Sequence, residues 1–304
     1  MNKDTHTQNA LLKSFLFFSI SFIFGYCLTI IFHEYGHALL NQMFGKTEFT
    51  LFYSPFGKSA VETRDDYSSL SITQQTLIYA MGPLFDIICS TLIAFPMWRT
   101  YKQKYLPFLM WNGLSFMGQG IGILMDVIDR DSPWGAQTDG GMILSLTGIS
   151  PVFLFSISLL SVIIGCVLLS LILPLVGVSK TDSILKISLI FLPGMVFYFS
   201  LTTIYASIFD ENRLGERKGQ LISATLLTIF LTVIYKPLYR IYYKLYPVET
   251  QLVKKQNFIA AFSLMSGIML FMWLISESSF ALISASIFCI TLLAIIVVWK
   301  LGAE

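Results

Sequence analysis

Apolar residues in this chain gather into long uninterrupted runs separated by short polar connections. Eight runs approach or exceed the ~20 residues that carry a helix across a bilayer. They cover roughly 14–40, 71–98, 105–127, 150–176, 183–208, 220–245, 258–276 and 279–299. Only Ser276-Glu277-Ser278 parts the last two, which predicts a tight helical hairpin. The expected architecture is therefore all-α: a polytopic transmembrane helical bundle of about eight spans. Residues 1–10 form a polar N-terminal tail, 11–149 a membrane core, and 150–304 further transmembrane helices whose role the sequence does not define.

One interval breaks the pattern. Within 46–70, Glu48-Phe49-Thr50-Leu51-Phe52-Tyr53 alternates polar and apolar positions, and Ser54-Pro55-Phe56-Gly57 is good turn material. Either a small β-hairpin or an irregular interfacial loop follows the first span. A hairpin would offer a strand edge able to hold an extended peptide.

Composition agrees with the runs. The 304 residues are 55% hydrophobic and only 12% charged, which excludes an ordinary soluble domain and places the protein in a membrane, expected to be a cell membrane. The lipid bilayer is then an obligate partner. A net charge of +2 gives no reason to invoke nucleic acid. Cys27, Cys89, Cys166 and Cys289 all lie in apolar stretches and read as packing residues, not a disulfide framework. If the N-terminus is inside, most of the 20 basic residues fall on inside segments, so charge favours an inside N-terminus.

Against this background, His33-Glu34-Tyr35-Gly36-His37 is out of place unless it has a task, because ionisable groups within a span are costly. On a helix, His33 and His37 lie one turn apart on one face and can grip one Zn2+ ion. Glu34 is placed to act as general base toward a water on that metal. The alternative is a pair of hydrogen-bonded structural histidines. His6, the other histidine, belongs to the polar tail. A third ligand should then be a carboxylate, a cysteine thiolate being the less favoured alternative, with Asp86, Asp139 and the Asp126–Asp131 loop as candidates. Asp139 is favoured, because Gly140 and Gly141 beside it allow close backbone approach; it also suits a helix N-cap, and the two roles can coexist. Asp86 is a candidate partner for a histidine N–H, or a buried acid joining two helices. Asn112 and Gln119 suit either substrate binding or hydrogen bonding between helices. The Asp126–Asp131 loop lacks calcium-ligand spacing and reads as a solvated connection.

The order of these motifs resembles the site-2 proteases, a family of intramembrane zinc metalloproteases. The resemblance rests on His33-Glu34-Tyr35-Gly36-His37-Ala38, then Met81-Gly82-Pro83-Leu84-Phe85-Asp86, then Asp139-Gly140-Gly141, and it covers roughly residues 20–145. It implies hydrolysis of membrane-embedded or membrane-associated protein substrates, as in regulated intramembrane proteolysis. Zinc would be held by His33, His37 and Asp139, with Glu34 as the base. Where the family often carries an asparagine and spaced prolines before its Asp-Gly, this chain has Asp131-Ser132-Pro133-Trp134-Gly135-Ala136-Gln137-Thr138, with one proline and no asparagine. The family's catalytic centre usually opens toward the cytosol, which implies an outside N-terminus and differs from the charge distribution. Two other classes fit parts of the chain. One is a prenyl-protein-type membrane metalloprotease, although Glu211, Glu216, Glu249 and Glu277 lack its context. The other is a non-catalytic metal-binding chaperone or transporter, for which Glu34 would be superfluous.

Overall fold

The computed structural model describes residues 3–53, 60–63, 67–131, 137–179 and 251–275, with short pieces between 182 and 237. Six α-helices of nine residues or more are described: α1 (Lys3–Met43), α2 (Ile72–Thr100), α3 (Leu106–Ile128), α4 (Asp139–Thr147), α5 (Pro151–Leu171) and α6 (Lys255–Ile275). Among the described residues, three helical segments are long and apolar enough to cross a membrane: Ala10–Met43, Ile72–Thr100 and Pro151–Val176. The expected runs at 183–208, 220–245 and 279–299 fall wholly or largely outside the described residues. So do the turn at Ser54–Gly57 and the four late glutamates.

Polar punctuation explains the boundaries. Ser71 caps α2 in a reciprocal box with Gln74, and Tyr101 ends it in the left-handed conformation, φ 46°. Pro107 opens α3 and Pro151 opens α5, each at a position where the missing N–H costs little. The alternating stretch after α1 forms a two-stranded antiparallel hairpin, β1 (Phe49–Phe52) and β2 (Ala60–Thr63), with Leu51 opposite Val61.

Helix α3 sits at the centre. It packs against α1, α2 and α5 and is buried over most of its length, whereas α2 and α5 leave large apolar side chains exposed. Small residues allow the closest contact. A Cβ added to Gly165 on α5 would lie 2.5 Å from the Met117 backbone N of α3. Aromatic packing fixes the crossing with α1, where Phe32 meets Trp111 at 4.7 Å between ring centroids. Cys27 and Cys166 are buried and Cys89 is half-buried, all free thiols, as packing residues would be.

The far end is tied by one amide. Buried Gln103, in the 3-10 turn before α3, donates through Nε2 to the carbonyls of Leu175 (2.6 Å) and Leu252 (3.2 Å). Its Oε1 accepts from the Lys254 backbone N–H (3.0 Å) and Asn257 Nδ2 (2.7 Å). One side chain thus joins the α2–α3 connection, the end of α5 and the start of α6.

Candidate metal centre

The i, i+4 spacing of His33 and His37 puts both rings on the face of α1 that meets α2, α3 and α4. Their Nε2 atoms lie 3.1 Å apart. Asp139 Oδ2 lies 3.2 Å from His33 Nε2 and 3.3 Å from His37 Nε2. The group can hold a metal ion. Its dimensions support that use, because a tetrahedral ion with ~2.0 Å arms has ligand–ligand edges of about 3.3 Å. The three edges match it without rearrangement.

The remaining ring nitrogens are committed elsewhere, leaving Nε2 to face the centre. His37 Nδ1 donates to the Ile78 carbonyl at 2.7 Å, and His33 Nδ1 donates to Gln119 Oε1 at 2.9 Å. In the same turn of α2, Pro83 cannot donate to the Tyr79 carbonyl and loosens the helix there. Gly82 and Gly36 are required at this crossing. A Cβ on Gly82 would lie 2.3 Å from His37 Nε2, and one on Gly36 would lie 2.5 Å from the Met81 carbonyl oxygen.

Asp139 is delivered by the N-terminus of α4, where the helix dipole favours a carboxylate. It occupies the first helical residue. The cap is Thr138, whose hydroxyl accepts from Gly141 N at 3.4 Å, so the capping role expected of Asp139 belongs to its neighbour. Asp126 Oδ2 accepts from Gly140 N at 3.0 Å and holds the start of α4 against the end of α3. This acid was expected in a solvated connection; instead it braces the ligand-bearing helix.

Glu34 stands outside the ligand triangle, half-buried, and receives the backbone N–H of Val61 from β2. Tyr53, just after β1, is buried with its hydroxyl donating to the Ile31 carbonyl at 3.4 Å. Burial, and then the nearby Glu34 carboxylate, push the Tyr53 hydroxyl well above its ordinary range.

The structure places Asp86 one step further from the metal group than direct contact with a histidine. Gln119 intervenes, donating through Nε2 to Asp86 Oδ2 at 2.9 Å. Asn112 is not brought to the centre. It accepts from Trp98 Nε1 at 3.1 Å and donates toward Ser90 and Thr91, joining α3 to α2. Sequence reasoning left out the Val61 N–H, the Ile78 carbonyl and the bracing role of Asp126. Backbone groups carry no residue signal. The recurrence of Asn112, Ser115 and Gln119 on one face of α3, however, marks a polar stripe. No family model, curated protein or solved structure matches the chain.

Proposed function

We propose that this chain is an intramembrane zinc metalloprotease with about eight spans in a cell membrane, hydrolysing peptide bonds of membrane-embedded or membrane-associated proteins. The observation that supports it best is the triangle of His33 Nε2, His37 Nε2 and Asp139 Oδ2, with edges of 3.1–3.3 Å and Glu34 beside it but outside it. Three protein ligands leave a fourth position open, which suits a catalytic centre better than a structural one. The motif order shared with the site-2 proteases points the same way.

Zinc, when bound, supplies the Lewis acidity that makes water a nucleophile near neutral pH. Glu34 takes the proton at its carboxylate as water attacks the peptide carbonyl, then returns it to the leaving amine. Asp139, His33 and His37 hold their positions through this exchange because each is anchored by a second bond or a helix terminus.

The hairpin suits an extended substrate. Val61 faces Leu51 across the sheet, and the outer edge of β2, on the side of Glu34, has no partner strand among the described residues. A strand added to that edge would run past the general base. Helical substrates hide their peptide bonds, so local unwinding onto this edge would precede cleavage.

The deciding comparison is the parent against Glu34→Gln, purified in detergent and returned to membranes. The variant should retain the parent's zinc content and release no peptides from the surrounding membrane proteome. Equal cleavage by both proteins would refute the assignment.

A further inference from the structure

A buried chain of hydrogen bonds links His33 through Gln119 to Asp86. Trp111 Nε1 and Ser115 Oγ both donate to Asp86 Oδ1, at 2.9 and 2.8 Å. Gln119 Nε2 donates to Asp86 Oδ2 at 2.9 Å, and Gln119 Oε1 meets His33 Nδ1 at 2.9 Å. Asp86, Trp111, Ser115 and Gln119 are all buried, so water does not substitute for any partner. An indole N–H can only donate and an ionised carboxylate can only accept. Gln119 turns its amide NH2 to Asp86 and its carbonyl to His33, the arrangement that a carboxylate at Asp86 requires. A carbonyl there requires a proton on His33 Nδ1, which leaves the Nε2 lone pair for the metal.

We propose that Asp86, acting through Gln119, fixes His33 in its metal-binding tautomer, so that both are positioning residues of the centre. The inference rests on the metal reading of His33, His37 and Asp139 and does not depend on peptide hydrolysis.

Reversing the polarity of the chain tests it. In Asp86→Asn, Trp111 still demands an acceptor, so the introduced amide NH2 points at the NH2 of Gln119. Gln119 turns over and presents a donor to His33 Nδ1, and the ring proton moves to Nε2, where it blocks the metal. Zinc affinity of the full chain in detergent, measured by chelator competition, should fall by about 10–100-fold. Adding Gln119→Glu restores every bond: the introduced amide donates to the introduced carboxylate, whose other oxygen accepts from His33. The double variant D86N/Q119E should return to within a few-fold of the parent. Asp86→Ala removes the demand without reversing it, so its loss should be smaller than that of Asp86→Asn. In metal-free protein, 15N chemical shifts should place the His33 proton on Nδ1 in the parent and on Nε2 in Asp86→Asn.

Parent-like zinc affinity in Asp86→Asn would overturn the proposal, as would a double variant no tighter than Asp86→Asn alone. A parent that binds no zinc overturns it together with the metal reading. A zinc-binding parent without peptidase activity overturns only the protease assignment.

Discussion

His33 and His37 are each held at both ends of the ring, so truncating either removes a ligand that no described neighbour can replace. Replacing either with alanine should abolish stoichiometric zinc, measured by elemental analysis of the purified protein, whereas His6→Ala should leave it unchanged. Retention of stoichiometric metal by His37→Ala would sink the ligand assignment. Gly82 offers a subtler test, because it contributes only the absence of a side chain. Gly82→Ala would place a methyl group within 2.3 Å of His37 Nε2, so either the ring or α2 must move. Zinc affinity should drop by about tenfold or more, as for lost outer-shell support. His33 and His37 were legible from the His-Glu-x-x-His spacing, whereas Asp139 was singled out by the glycines that follow it and by the resemblance in motif order. The amide that orients His33 was less so, since Gln119 lies 86 residues away and looks like any polar residue bridging two helices.

At the level of elements, the boundaries of α2 and α3 followed hydropathy closely, whereas α1 begins at Lys3, inside the expected polar tail and ahead of the apolar run at 14. The expected run at 71–98 became Ile72–Thr100, and that at 105–127 became Leu106–Ile128. Burial of an apolar run depends little on what it faces, which is why such limits can be read one segment at a time. Facing is another matter. The pairing of α4 with the end of α3 depends on Asp126 and Gly140, and neither residue type announces that contact. The hairpin was readable as alternation, but its approach to Glu34 was not, because the bond uses the Val61 backbone. Val61→Pro isolates that bond. Proline is tolerated where the N–H faces away from the partner strand, so the sheet should persist while Glu34 loses its donor. Cleavage should fall, with zinc content unaltered. Loss of zinc in this variant would mean that β2 supports the ligands rather than the base.

Across the whole molecule, α5 packs on α3 and α6 on α1, and of the described side chains that hydrogen-bond between the early and later parts of the chain, Gln103 makes the most such bonds. Gln103→Leu would leave the Leu175 and Leu252 carbonyls, the Lys254 N–H and the Asn257 amide without their partner. Such losses amount to about 1–3 kcal/mol for each buried group left unpaired. Thermal unfolding in detergent should begin at lower temperature, while zinc content at room temperature stays at the parent value. Zinc loss in step with unfolding would instead show that the two ends of the bundle are one cooperative unit. Sequence reasoning anticipated a core at 11–149 and further helices after it, but no hydropathy pattern identifies the hydrogen bonds that Gln103 makes between them.

The separation of the ligands along the chain also has a consequence in time. His33 and His37 emerge with the first helix, but Asp139 follows about a hundred residues later. At roughly 5–20 residues per second of synthesis, the histidine pair waits about 5–20 s before its third ligand exists. Ile78 and Gln119 are both synthesised within that interval, ahead of the carboxylate that closes the triangle. An ion held by all three side chains would therefore report that the fourth helix has reached the first.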